Sequence, residues 1–455
     1  MLVRHLWPDT ATVNEQDHLI VGGCDAVALA REYGTPLYLL DEATFRAGCR
    51  AYRTALTHGY DGPYAIHYSG KALLNTAVAQ LVADEGLGLD VVSGGELFVA
   101  LRAGFPAERI HMHGNAKPRA ELEQALAAGV GKIIVDTLDE LDLLARLTVG
   151  RTEPQPIMLR LAPGIAADTH THIETGRAAS KFGLPLDALD AAAARLIAAP
   201  GLRLAGLHAH LGSQIFDYAP IARAIDVLLN CAARLRDRHG IAVAEISPGG
   251  GLGAPYVVEQ PPPDVDAYAA AIGQALAAGS AARDLPLPRL VIEPGRSLVA
   301  RAGVAIYEVV STKRFATNDE RGIFPFVRVG HSSFVDYLHV DGGMADNIRP
   351  ALYGARYTAL LANHAAAEPQ EVVHIAGRYC ESGDVLLRDL PLPRAEVGDL
   401  LAVAVAGAYT LSMASNYNLT PRPAVLVVGA GRARVIQRRE RYVDLVARDE
   451  ALAAN

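Results

Sequence analysis

Lysine, cysteine and tryptophan are scarce in this chain, and long apolar runs are missing altogether. The 455 residues include four cysteines, one tryptophan and only five lysines, at Lys71, Lys117, Lys132, Lys181 and Lys313. Cys24, Cys49, Cys231 and Cys380 lie far apart with no metal-ligand spacing, a pattern that suits free thiols in a reducing cytoplasm and no bound metal. Hydrophobic residues make up 51% of the chain, but much of this is alanine. No run reaches the roughly 18 apolar residues that a membrane-spanning helix needs. Residues Met1 to Asp9 show no apolar segment followed by a small-residue cleavage site, so a cytoplasmic location is expected and a membrane partner is not. A formal net charge of −8 argues against a nucleic-acid partner, which would call for a basic excess or patch.

What the chain does have is rhythm. Strand-like runs recur near 64–68, 88–92, 109–113, 131–135, 156–161, 203–210, 242–247 and 289–293, and most are separated by helix-period stretches. Asp41 is placed to cap a helix over 41–57, and Leu73 to Val82 has one apolar face. Ser93 with Glu96 and Thr137 with Glu140 have capping-box spacing directly after strands. Eight such units predict an α/β domain over 41–300, a TIM-like (β/α)8 barrel; by periodicity alone an open doubly wound sheet remains the alternative. Beyond residue 300 the pattern turns to β-rich alternation, as in Val304–Val310, Phe334–Val340, Val372–Ile375, Leu400–Val405 and Ala424–Val428. Residues 1–40 and 301–455 are therefore expected to form a second, all-β domain, a sandwich or Greek-key barrel.

Barrels of this kind carry function at the C-terminal ends of their strands. Those ends hold Lys71, Asp90, His113 with Asn115, Asp136, Arg160, His208 with His210, the triplet Gly249 to Gly251, and the run from Glu293 to Arg296. A ring of polar groups around one mouth is hard to explain as packing. It suits a phosphorylated cofactor cradled by glycine-rich backbone near the last two strands. Lys71, which ends a strand-like run, is the candidate covalent anchor for pyridoxal phosphate, since a lysine amine can condense with an aldehyde; taken alone, a snorkelling or salt-bridged lysine is the better explanation, and only the rest of the chain turns the choice. His-x-His pairs at 111/113, 170/172 and 208/210 have the period-2 spacing of a metal pair, but no carboxylate or cysteine cluster accompanies them. Gly249 to Ala254 fits a dinucleotide fingerprint, yet no suitable acidic residue follows, so it is better read as a phosphate loop.

Several segments together resemble one family. They are Asp90-Val-Val-Ser-Gly-Gly-Glu-Leu97, Gly206-Leu-His-Ala-His-Leu-Gly-Ser-Gln214, Glu293-Pro-Gly-Arg296, Asp341-Gly-Gly-Met344, Ile348-Arg-Pro-Ala-Leu-Tyr353, Cys380-Glu-Ser-Gly-Asp384 and Gly407-Ala-Tyr409. In this order, over about residues 20 to 430, they are similar to the diaminopimelate decarboxylases, fold-type III decarboxylases dependent on pyridoxal 5'-phosphate. The resemblance implies an alanine-racemase-like barrel plus a β domain, and a homodimer with active sites at the subunit interface. It implies that Lys71 holds the cofactor, that Glu293 meets its ring nitrogen and that His210 stacks on its ring. Asp90, Ser213, Gly250, Gly295, Arg296 and Tyr409 are implied around the cofactor, and Cys380 as proton donor beside Glu381. Arg296, Arg349, Tyr353, Glu381 and Tyr409 are implied to hold the substrate. Lys71, Cys380, Glu293 and His210 form the implied catalytic set.

The implied reaction is decarboxylation of meso-2,6-diaminopimelate to L-lysine and CO2, the last step of lysine biosynthesis. Two guanidinium forks, Arg296 and Arg349, match a distal carboxylate, whereas a substrate ending in a bare cation would want acidic groups there. Two other readings of the scaffold stay open at this point: decarboxylation of another carboxylate-bearing amino acid, such as carboxynorspermidine, or a non-catalytic homologue.

Overall fold

The computed structural model describes residues 2–165, 181–314 and 336–452. The chain divides into two compact units, one of residues 46–254 and 262–299, the other of residues 1–45, 255–261 and 300–455. Residues 41–45, 255–261 and 300 lie within the range expected for the barrel but cluster with the other unit.

The first unit is the closed barrel. Its eight strands are Tyr64–Ser69, Gly88–Val91, Ile110–Met112, Lys132–Val135, Gln155–Ala162, Leu202–His208, Glu245–Gly249 and Arg289–Ile292. Each pairs in parallel with its neighbours, and the eighth returns to the first through Leu290 opposite Tyr64, so no open sheet remains. Both expected capping boxes form their first bond: Glu96 N donates to Ser93 Oγ and Glu140 N to Thr137 Oγ1, each at 3.2 Å. The long helix Ala219–His239 buries Ile221, Ala224, Ile225, Leu228, Leu229, Ala232 and Leu235, a stripe at helical spacing, and ends at Gly240 in the left-handed region. One helix starts later than its apolar pattern suggests. Asn75 Oδ1 accepts from Val78 N at 2.9 Å and caps the helix Thr76–Asp84, while Lys71 sits on a single 3-10 turn, Gly70–Ala72.

The second unit is built on β-sheet. The strand Gly303–Lys313 pairs antiparallel with Leu37–Asp41, Asp336–Val340 and Leu400–Val403. Leu37–Asp41, buried along its whole length, also pairs in parallel with Ala424–Gly429. Glu371–Ala376 and Val385–Leu392 continue the sheet beyond Asp336–Val340. Of the run expected as a strand from Phe334, residues 334 and 335 lie outside the described residues.

Candidate active site

The interior of the barrel is polar where aliphatic layers are usual. Lys132 on the fourth strand lies 3.3 Å from Glu245 on the seventh. Those strands are not neighbours, so the pair meets across the lumen. Lys132 Nζ also lies 3.3 Å from His111 Nε2, and His111 stacks on His67 with centroids 3.6 Å apart. Asp90 Oδ1 comes next, 3.3 Å from His67 Nδ1 and 3.4 Å from His113 Nε2. His113 Nε2 in turn lies 3.7 Å from Glu293 Oε1. All six side chains from His67 and His111 through Asp90, His113, His208 and Glu293 are buried.

Glu293 ends this string at the mouth. Ser247 Oγ donates to its Oε1 at 2.8 Å, and His208 Nε2 faces its Oε2 at 3.1 Å. Burial alone would raise the pKa of this carboxyl, but the imidazoles of His208 and His113 outweigh burial and bring it down to about 2. Burial pushes the His208 imidazole below its ordinary range, against the opposing pull of the Glu293 carboxylate. Asp90 is likewise held well below the usual carboxylate range: burial opposes this, and His113 and His67 prevail.

Around the mouth stand the remaining residues of the barrel set. Lys71 is exposed and makes no ion pair among the described residues, unlike Lys117, which is buried against Glu140 at 2.8 Å. The charge of Lys71 reaches Glu96 and His210. His210, half-buried just past the sixth strand, has its pKa pushed well down by burial, then by Lys71 and Arg160. Its Nδ1 accepts from Gly250 N at 3.4 Å. Gly250 is required as glycine, since a Cβ there would stand 2.1 Å from Glu293 O. Arg296 Nε donates to Ser213 Oγ at 3.0 Å, and Gly295 stands three residues past the eighth strand. Asp136 accepts from Gly183 N at 3.1 Å and lies 3.8 Å from Arg160, whose guanidinium covers Phe182.

These groups fit pyridoxal phosphate. An unpaired amine is available for the aldehyde, and the anionic Glu293, with two of its roughly four acceptor positions taken, has capacity left for a ring N–H. Glycine backbone, Ser213 and Arg296 provide the donors a phosphate needs. His67, Asp90 and His111, and likewise His113, His208 and Glu293, have donor atoms within 4.8 Å of one another, a spacing that metal ligands also show. In the first set the Lys132 ammonium already neighbours His111. The His170/His172 pair lies outside the described residues.

The second unit carries the other expected residues. Arg349 opens the helix Arg349–Tyr353 and lies over the rings of Tyr256 and Tyr357, at 4.4 and 5.5 Å. Its Nη1 donates to Tyr357 Oη at 2.6 Å, while its buried Nε has no partner and is free for an acceptor. Tyr409 follows the strand Leu400–Val403 and has its backbone in the left-handed region. Cys380 and Glu381 are exposed on the turn between Glu371–Ala376 and Val385–Leu392. Asn418 Oδ1 accepts from Cys380 N, and Tyr417 Oη donates to Glu381 Oε1 at 2.5 Å.

Sequence reasoning missed Ser247, His67, Tyr256 and Tyr357. His67 and Ser69 alternate toward one face of the first strand, and Ser247 stands two residues before Gly249, so period-2 spacing was the available signal. Nothing local marks Tyr256 or Tyr357 as partners of Arg349.

Residues 42–300 match the family model for the pyridoxal-binding domain of pyridoxal-dependent decarboxylases. The chain is 42% identical to a diaminopimelate decarboxylase of Halalkalibacterium halodurans over 446 residues, 97% of this chain and 98% of the relative. It is 42% identical to a diaminopimelate decarboxylase of Bacillus subtilis over 443 residues, covering 97% of each. Among solved structures, the diaminopimelate decarboxylase of M. jannaschii in complex with L-lysine superposes with a TM-score of 0.88 at 32% identity, over 98% of this chain and 99% of that one.

Proposed function

The chain belongs to the diaminopimelate decarboxylase family of pyridoxal-dependent enzymes, and from this membership we infer that it converts meso-2,6-diaminopimelate to L-lysine and CO2. The observation that carries the reading is the buried Glu293 anion, fixed by Ser247 and His208 at the mouth onto which Lys71 opens. Pyridoxal phosphate, when bound, supplies an electron sink for the bond that loses CO2. Lys71 anchors the cofactor, and the Glu293 carboxylate holds a proton on the ring nitrogen. His210, neutral at working pH, lies against the ring; Asp90 backs the same site through His113. Gly250, Gly295, Ser213, Arg296 and Tyr409 bind the phosphate and ring edge.

The substrate set is Arg296, Arg349, Tyr353, Glu381 and Tyr409. A guanidinium with an unused buried donor, as in Arg349, suits a distal carboxylate, and Glu381 suits the distal ammonium. Cys380 returns a proton to the carbon that has lost CO2. The working assembly is a cytoplasmic homodimer in which Cys380 and Glu381 of one chain complete the site around Lys71 of the other. Turnover of meso-diaminopimelate compared with L-ornithine, L-arginine and L-lysine tests the reading. We expect diaminopimelate to be preferred; preference for any of the other three overturns it.

A further inference from the structure

Asp384 lies at the end of the turn that carries Cys380 and Glu381, and it is 4% exposed. Its carboxylate points away from solvent into the space between two turns. One is its own, residues 377–385. The other is residues 341–349, which follows the strand Asp336–Val340 and ends in Arg349. Oδ1 accepts from Met344 N at 2.7 Å on the second turn, and Oδ2 accepts from Tyr379 N at 2.8 Å on the first. A direct bond runs beside this bridge, from Arg378 N to Gly342 O at 3.1 Å.

Both turns are shaped around the carboxylate. A Cβ at Gly377 would stand 2.1 Å from Oδ2, and a Cβ at Gly343 would stand 2.5 Å from Oδ1. The second turn is also fixed from behind. Gly343 N donates to Asp346 Oδ1 at 2.9 Å, and Tyr38 and Tyr307, from two strands of the sheet, donate to Asp346 Oδ2 at 3.0 and 2.5 Å. Asn347 N donates to Gly343 O at 2.9 Å, which carries the constraint on to Arg349. The thiol turn is thus referred to the same rigid frame as the guanidinium turn, and Asp384 is the side chain that joins them.

We propose that Asp384 is a positioning residue for substrate binding and proton return, acting through Arg349 and through Cys380 with Glu381. The proposal rests on the decarboxylase reading above. An aspartate is needed because two backbone N–H groups converge on its two oxygens. Asparagine can accept only one of them and would set its own NH2 against the other.

The test uses the cofactor-loaded enzyme. Asp384→Asn should keep its cofactor loading, read from visible absorbance, because every cofactor residue named above except Tyr409 belongs to the barrel, and Tyr409 lies on neither of the two turns that Asp384 joins. Its kcat/KM for meso-diaminopimelate should fall by about 10- to 100-fold, with kcat lowered and KM raised, the scale expected when catalytic groups are misplaced by about 1 Å. In a Cys380→Ala background, Asp384→Asn should lower kcat by less than about twofold while the KM effect persists, as expected for residues acting through one another. Val373→Ala, at a buried position of the same sheet, controls for lost stability and should change neither constant. Gly377→Ala, which crowds the carboxylate from the other side, gives the same test if Asp384→Asn folds poorly. An active wild type with kcat and KM unchanged in both Asp384→Asn and Gly377→Ala overturns the proposal, as does an equal effect of Val373→Ala. An inactive wild type would instead overturn the functional reading.

Discussion

Glu293→Gln tests the barrel site where its electrostatics are most constrained. The carboxyl is 8% exposed and its pKa is brought down to about 2, burial being outweighed by His208 and His113. An unfolded glutamate titrates near about 4.3, so the fold favours the anion by roughly 2 pKa units, or about 3 kcal/mol. The folded value lies below the unfolded one. That stabilisation is therefore fully present above about pH 4.3 and is lost as pH falls toward 2. Glutamine keeps the shape and can still accept from Ser247, but its NH2 would face the donor His208 Nε2 and it carries no charge for the ring nitrogen. If the whole preference for the anion serves the cofactor, turnover of meso-diaminopimelate falls by about 100-fold. Cofactor binding and spectrum should be recorded on the same samples, together with acid unfolding, in which the variant should lack the part of the stability loss due to Glu293. A variant that binds cofactor and turns over within about threefold of wild type at neutral pH would refute the assignment of Glu293.

Lys71→Ala should abolish decarboxylation and the visible absorption of lysine-bound cofactor while the thermal midpoint stays near wild type, because Lys71 is exposed and pairs with no acid among the described residues. Mixing Lys71→Ala with Cys380→Ala chains under conditions of proven subunit exchange should restore about a quarter of wild-type activity, since half of randomly paired dimers carry one intact site of two; no restoration means that Cys380 serves its own chain. Asp346, 3% exposed, has its pKa pushed up to about 6 by burial, against the hydrogen bonds from Tyr307, Gly343 N and Tyr38. Its folded value lies above the unfolded value of about 3.9, so stability present below that pH is lost as pH rises through 6, and Asp346→Asn should gain about 3 kcal/mol relative to wild type between about pH 4 and pH 7 in urea unfolding; a flat difference over that range would count against it.

The barrel was legible because its signals are local. Each strand carries its own apolar run, each helix its own cap, and Lys71, Asp90, His210 and Glu293 all stand at or just past strand ends. Asn75 shows the limit of such reading: the apolar pattern begins at Leu73, but the cap two residues later decides where the helix starts. Pairing between distant segments left no comparable trace. Nothing in Leu37–Asp41 announces that it lies between Gly303–Lys313 and Ala424–Gly429, nor that residues 255–261 join the second unit and set Tyr256 against Arg349.

The polar string through the barrel departs from what packing alone would place there. Packing needs would fill the lumen with Val, Ile and Leu. Here Lys132 and Glu245, His111 and His67, Asp90, His113 and Glu293 follow one another at 3.3 to 3.9 Å, so every buried charge has a partner of opposite sign or a polar neighbour. Removing one member of a buried ionic pair typically costs about 3 to 5 kcal/mol, because the survivor is left uncompensated. A string of this kind is no cheaper than an aliphatic core and is harder to substitute piecemeal. What it adds is a fixed charge at its upper end. Glu293 is held as an anion not by solvent but by groups that cannot relax away, which is the condition a cofactor ring nitrogen needs if its proton is to stay in place while charge builds on the ring.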